Sequence, residues 1–255
     1  MTRPHSKSRR GLLTLIGLAA LPVTPVAAQP AIRIEGGVPQ RLPLTTIRDL
    51  DIAQPAQIDE DPVDLAVLNL GVVDVPSGRL TGVDALLLDG APYRPRIASG
   101  RYPLQVVLAR LSSGEERVAF VQLKLADRNA ESWSNAIIEG EDELQDDEIS
   151  VFEVESSVAA LFDAAALVLW RRSLAERPEL LVDLQRVLRE NRRPTWTWAH
   201  VQVGSGSGVL FTAGRGEGEY GAYWGRAADG QIVSLVIDLD LLDWAGLPED
   251  PPVTV

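Results

Sequence analysis

The 255-residue chain has no cysteine and only two histidines, His5 and His200. That excludes disulfides, zinc–thiolate sites, cysteine nucleophiles and lipid attachment through an N-terminal cysteine. Positive charge is also scarce, with 24 Lys plus Arg against 36 Asp plus Glu and a formal charge of −12. Lysine occurs only at Lys7 and Lys124. Without a basic excess there is little to displace counterions from phosphates, which argues against nucleic acid as a general partner. The 45% apolar fraction is ample for a core, and the length suits one domain or two small ones.

Long hydrophobic runs are missing as well. The only apolar stretch near the N-terminus, residues 11–21, is interrupted by Pro22 and Pro25, too short for an uncleaved membrane anchor of about 20 apolar residues. Ahead of it stand Arg3, Lys7, Arg9 and Arg10 with no acidic residue, and behind it Val26-Ala27-Ala28. A basic start, a short apolar run and small residues at −3 and −1 predict a signal peptide over residues 1–28, cleaved after Ala28. Ser8-Arg9-Arg10-Gly11-Leu12-Leu13 resembles a twin-arginine signal, with a general secretory signal as the alternative. The expected location is periplasmic or secreted, with no membrane attachment after cleavage. Cleavage removes four cations and no anions, taking the formal charge from −12 to −16.

Residues 29–64 are rich in proline and acids and read as an extended lead-in with one short strand; residues 65–255 read as a single domain. Val67, Leu68, Leu70, Val72, Val73 and Val75 form a β-branched-rich run ending at the turn Pro76-Ser77-Gly78. A strand over 79–83 is expected to return from it. Residues 102–111 and 117–125, separated by Ser112-Ser113-Gly114-Glu115-Glu116, predict a hairpin. In its second strand Ala119, Val121, Leu123 and Leu125 form the drier face, opposite Val118, Phe120, Gln122 and Lys124. Residues 129–137 predict a short helix burying Trp133, and residues 139–148 an acidic loop.

Ser156-Ser157 are good helix N-cap types before an Ala/Leu/Val-rich run to Trp170, predicting a helix packed on several sides. Pro178 and the spacing of Leu180, Leu181, Leu184, Val187 and Leu188 predict a second helix, with Arg189, Arg192 and Arg193 at its C-terminus. Strands follow at 196–203, 209–212, 220–226 and 232–239, with Asp229-Gly230 as a hairpin turn. The class expected is α+β: mostly antiparallel sheet, β-rich, with a central helical pair.

Candidate chemistry is sparse, and neither a cofactor nor a metal is expected. Gly204-Ser205-Gly206-Ser207-Gly208 superficially resembles a nucleophile elbow, but it leads into a strand and reads as a flexible loop. Glu155, Asp163, Glu217 and Asp238 sit beside turns or element ends, where two could act as acid and base in a glycosidase-like hydrolase; the alternative is bonding to backbone amides or arginines. The acidic run 139–148 could attract calcium and serve a structural or adhesion module, although its glycine is misplaced for an EF-hand. Trp196, Trp198 and His200 share one strand face. With Tyr220 and Trp224 they could anchor a protein partner, or they could pack beneath the helices. The leading expectation is an exported protein-binding module rather than an enzyme, with the carboxylate-dependent hydrolase and the calcium module as alternatives; oligomeric state is left open.

Several landmarks recur in an order resembling a bacterial family named domain of unknown function 4241. They are Pro76-Ser77-Gly78 with Asp84, Gly100-Arg101-Tyr102-Pro103, Arg117-Val118-Ala119 and Trp133. Downstream come Phe162-Asp163, the segment 214–220, Tyr223-Trp224-Gly225 and Asp238-Leu239. The resemblance covers roughly residues 66–243. The chain departs from the family pattern at Val154-Glu155-Ser156-Ser157, where the pattern has Val-Asp-x-Gly. It departs again at Arg215 and Glu217, where the pattern has tryptophan and aspartate. The resemblance implies the fold and carries no established reaction.

Overall fold

The structure, a computed structural model, describes residues 29–50, 52–141 and 148–244. The expected signal peptide, with Arg9, Arg10 and Ala28, lies outside the described residues, as do residues 142–147 of the acidic run. Along the chain run β1 (Ile32–Glu35), β2 (Gln40–Leu42), a 3-10 turn (Leu44–Ile47), β3 (Gln57–Ile58), β4 (Asp61–Pro62) and β5 (Asp64–Val75). Then come β6 (Leu80–Asp84), β7 (Gly100–Arg110), β8 (Glu116–Lys124), β9 (Ser132–Asn135), β10 (Val151–Val154) and β11 (Val158–Asp163). Helices α1 (Ala164–Glu176) and α2 (Glu179–Glu190) precede β12 (Trp198–Val203), β13 (Gly206–Thr212), β14 (Gly218–Arg226) and β15 (Ile232–Asp238).

Two antiparallel sheets face each other. The smaller has the order β1-β12-β13-β11-β6; the larger runs β10-β14-β15-β8-β7-β5-β2, with β9 also paired to β14. Residue alternation assigns each face. In β12, Ala199, Val201 and Val203 face the helices with Phe162, Trp170, Leu184 and Val187. Trp198 points the other way and joins Val209, Phe211, Leu104, Val106 and Leu123 between the sheets. Burying such a side chain contributes about 1.5–3 kcal/mol, so these two apolar layers dominate the stability. The α+β class expected from the sequence is the class observed.

The lead-in holds four short strands rather than one. β1 closes one edge of the smaller sheet and β2 one edge of the larger. Ile47, Leu50, Ile52, Ala56 and Ile58 cover the outer face of the larger sheet, against Val107, Phe120 and Val236.

Four other local expectations are corrected. Residues 158–163 form a central strand, not the start of a helix: β11 lies between β13 and β6. A run apolar on both faces suits a fully covered strand as well as a buried helix, so periodicity does not separate them. The helix starts only at Ala164, while Ser157 turns the chain with φ 61. Residues 132–135 are strand rather than helix, because they pair with the exposed edge of β14. The strand after Pro76-Ser77-Gly78 does not return along β5 but crosses to the other sheet and pairs with β11. Finally, a bulge between Val107 and Leu108 opposite β8 pairs Val118 with Leu108 and Phe120 with Val107, which moves Val118 to the inner face.

Gly204 to Gly208 is likewise not a loop of five residues. Gly204 and Ser205 make the turn, with Gly204 at φ 60, and β13 starts at Gly206. The alternating glycines serve packing: a Cβ at Gly208 would lie 2.2 Å from the Phe162 ring, and one at Gly206 would lie 3.0 Å from the Ala166 Cβ.

A polar cleft as the candidate functional site

Two buried carboxylates act as framework. Asp163 is fully buried; its Oδ1 accepts from the Ala166 amide at 2.9 Å, capping α1, and its Oδ2 accepts from the Ser77 amide at 2.9 Å and the Ser77 hydroxyl at 2.5 Å. It thereby ties the Pro76-Ser77-Gly78 turn to the helix start. Asp84 accepts four amides, from Leu86 and Leu87 on Oδ1 and from Glu155 and Ser156 on Oδ2. Burial opposes its charge, but the amides outweigh burial and hold the carboxyl below its ordinary value.

The other candidate carboxylates are dispersed. Glu155 is exposed in the turn between β10 and β11, and Glu217 is exposed in the turn before β14. Asp238 ends β15 on the outer face of the larger sheet, where the Trp244 indole donates to Oδ2 at 2.6 Å and the Asp240 amide to Oδ1 at 2.9 Å. Among the described contacts none joins two of Glu155, Asp163, Glu217 and Asp238. Burial pushes the Asp238 carboxyl up to about 6, with nearby Asp240 adding to the rise and the two hydrogen bonds opposing it. A cleft of about 340 Å³ adjoins it, lined by Val151, Glu219, Tyr223 and Asp240.

The aromatic set is core. Trp196, Trp198, Tyr220 and Trp224 are at most 3% exposed. Trp198 stacks on Trp196 at 4.9 Å between ring centres, lies 5.2 Å from the Arg193 guanidinium and donates its indole N–H to the Gly36 carbonyl. His200 bonds the Leu70 carbonyl through Nε2; burial lowers its value, against the opposing effects of that bond and of Glu35. Ser207 Oγ accepts the Asp74 amide at 2.8 Å, which ties β13 to β5. Glu139 pairs with Arg79, and Glu141 accepts from the Ser150 hydroxyl. Among the described residues no three acidic or imidazole groups gather as a metal site.

The chemistry left unspent lies elsewhere, on the outer face of the larger sheet. Gln105 and Gln122 are directly opposed across β7 and β8, and Lys124 is opposed to Ser234 across β8 and β15. Asp49, just past the 3-10 turn, accepts on Oδ2 from Lys124 Nζ at 3.0 Å, Gln122 Nε2 at 3.3 Å and the Ala130 amide at 3.3 Å. Among the described residues, four buried oxygens of this cluster have no protein hydrogen-bond partner: Asp49 Oδ1, Gln105 Oε1, Gln122 Oε1 and Ser234 Oγ. Each such atom costs about 1–3 kcal/mol when left unpaired, and folded proteins keep few of them.

The cluster opens into a cleft of about 640 Å³, in the size range of small-molecule sites. Gln105, only 7% exposed, and Lys124 line it; Thr45, Thr46, Arg101, Asp127, Arg128 and Asn129 form its rim. Tyr102, Pro103, Leu125 and Ala126 add apolar surface. Arg101 spends Nε on Asp74 at 2.8 Å, and Arg128 spends Nη1 on Asp229 and Gln231.

None of the floor residues is among the sequence candidates. Two signals did exist: Lys124 is the only lysine after residue 28, and Gln105 and Gln122 interrupt otherwise apolar strands. Neither reveals that Asp49, 75 positions earlier in the chain, packs onto Lys124.

No curated protein matches the chain, and no solved structure does. The model of a family described as protein of unknown function (DUF4241) matches residues 73–237. That range lies within the stretch expected from the landmarks and includes Gln105, Gln122, Lys124 and Ser234, while Asp49 precedes it. With well over half of its length matched, the chain belongs to the DUF4241 family of proteins of unknown function.

Proposed function

We propose that the protein is an exported, non-catalytic binding protein that holds a small polar molecule in the cleft floored by Gln105 and Lys124. One observation carries this reading: Gln105 and Lys124, two members of a largely buried polar cluster, line a cavity of ligand size. A small-molecule site needs a few polar groups set in a concave, partly apolar surface, and Gln105 and Lys124 beside Tyr102, Pro103 and Leu125 supply them. A protein partner would have to use other surfaces than Trp196, Trp198 and Trp224, since those are spent in the core. Titrating the isotope-labelled protein with mixtures of sugars, organic acids, amino acids and polyamines tests the site. Amide shifts are expected at Thr45, Thr46, residues 101–105 and residues 124–129. Responses confined to other parts of the molecule, or none at all, would sink the reading.

Export rests on the N-terminal pattern of Arg9, Arg10 and Val26-Ala27-Ala28. A tagged chain is expected outside the cytoplasm, shortened to begin at Gln29, and the Arg9→Lys, Arg10→Lys double variant is expected to stay inside at full length. Normal processing of that variant would point to the general secretory route instead.

A carboxylate-dependent hydrolase is the second reading, favoured only by the raised Asp238 carboxyl beside Tyr223 and Glu219. The same shift makes a stability prediction. Because the folded value is above the ordinary 3.8, the folded state holds an extra proton between about pH 4 and 6. The Asp238 contribution to stability should therefore be greatest below that window and be lost as pH rises through about 6, by at most about 3 kcal/mol. Comparing urea denaturation of wild type and Asp238→Asn at pH 4 and pH 7 isolates this contribution. A wild-type slope that persists in the variant would refute it. The hydrolase reading additionally requires turnover on glycan or ester panels that disappears in the folded Asp238→Asn protein.

A further inference from the structure

We infer that residues 245–250 of this chain dock in the groove lined by Leu44, Arg48, Leu50 and Ile52, an inference independent of the ligand reading above. The groove has a volume of about 560 Å³, and Val63, Asp64 and Leu65 also line it. Ile47, Leu50 and Ile52 are buried against the larger sheet, whereas Leu44 is left 52% exposed. Only a further segment would take that apolar surface out of water.

The chain leaves the described structure at this groove. Trp244 forms an antiparallel bridge with Ile52, and the Ala53 amide donates to the Asp243 carbonyl at 2.8 Å. Ile52 itself lines the groove. Antiparallel pairing fixes the direction: as numbers rise beyond 244, their partners fall from 52 toward 44. The residues after Trp244 are therefore aimed along Leu50 and Arg48 toward Leu44.

The sequence fits that course. Ala245-Gly246-Leu247-Pro248-Glu249-Asp250 places a large apolar residue three positions beyond Trp244 and two carboxylates just after it. Counted along the register of the bridge, Leu247 comes level with position 49 and Glu249 with position 47, on either side of Arg48. Arg48 is exposed and has no ion pair among the described residues. Leu247 supplies apolar contact for Leu44 and Leu50, and Glu249 and Asp250 supply charge for Arg48. The apolar contact carries most of the affinity, since an exposed ion pair is worth little and mainly sets the register. The turn at Leu44–Ile47 separates this groove from the cleft at Lys124: Leu44 and Ile47 line one, Thr45 and Thr46 the other. Docking thus braces a wall of that cleft from behind, whatever the cleft holds.

The absence of cysteine permits a single spin label in the full chain. A nitroxide on Pro252→Cys is expected to broaden the amide signals of residues 44–50, 52 and 63–65 and to spare those of α1 and α2. Leu247→Asp should abolish that broadening and lower the melting temperature by about 3 °C. Arg48→Glu should weaken the broadening at least twofold, and adding Glu249→Lys with Asp250→Lys should restore it. Broadening centred elsewhere, or unchanged by Leu247→Asp, would overturn the proposal. So would broadening of isotope-labelled, nitroxide-free chains mixed with nitroxide-bearing unlabelled ones, since the occupant would then be a second copy.

Discussion

Asp163→Ala is expected to remove about 4 kcal/mol of stability, measured by urea denaturation near pH 7. The carboxylate is fully buried and accepts three hydrogen bonds, from the Ala166 amide and from the amide and hydroxyl of Ser77. The helix cap alone is worth about 1 kcal/mol, and bonds to a charged acceptor about 1.5–3 kcal/mol each. The loss is not strictly additive, because the Ser77 hydroxyl can turn to another acceptor, such as the Arg79 carbonyl at 3.3 Å. Asp163→Asn should recover part of the loss: its amide oxygen can still cap α1, while its NH2 faces the Ser77 donors. A loss below about 1 kcal/mol in the alanine variant, together with loss of a hydrolytic activity, would instead restore Asp163 as a catalytic candidate.

Trp198→Ala should cost a comparable amount, again about 4 kcal/mol, within the range for truncating a buried large aromatic. The side chain is 1% exposed, stacks on Trp196 and donates its indole N–H to the Gly36 carbonyl. Removal leaves a cavity between the two sheets and an unpaired carbonyl on the segment after β1. For a domain of this size the melting temperature should fall by roughly 10 °C. Trp224→Ala should behave alike, since that ring is buried too and donates to the Arg94 carbonyl. An unchanged melting temperature in either variant, with an interaction lost, would return the tryptophans to a role in recognition.

What was legible and what was not can be followed through single residues. Asp163 was singled out because a carboxylate at an element end can serve a site, and it does lie at the junction of β11 and α1. Its partner Ser77, 86 residues away, makes it a structural anchor instead. Lys124 was assigned to the wetter face of its strand, yet that face is covered by Ile47 and Leu50 from the lead-in and carries the buried pair with Asp49. Hydrophobic periodicity reports whether a face is covered, not by what.

The chain by itself determined the inventory and the periods. Without cysteine, and with a single histidine past residue 28, thiol and multi-histidine chemistry is excluded; alternation of period two specified an antiparallel, β-rich domain, and helical spacing marked residues 179–190. Tertiary structure alone decided that residues 158–163 are a central strand, because only the neighbours β6 and β13 supply hydrogen-bond partners on both sides. It also decided where polar groups converge. Asp49, Gln105, Gln122, Lys124 and Ser234 meet through the register of three strands and a turn packed over them. Register is set by pairing between distant segments, and no local pattern encodes it.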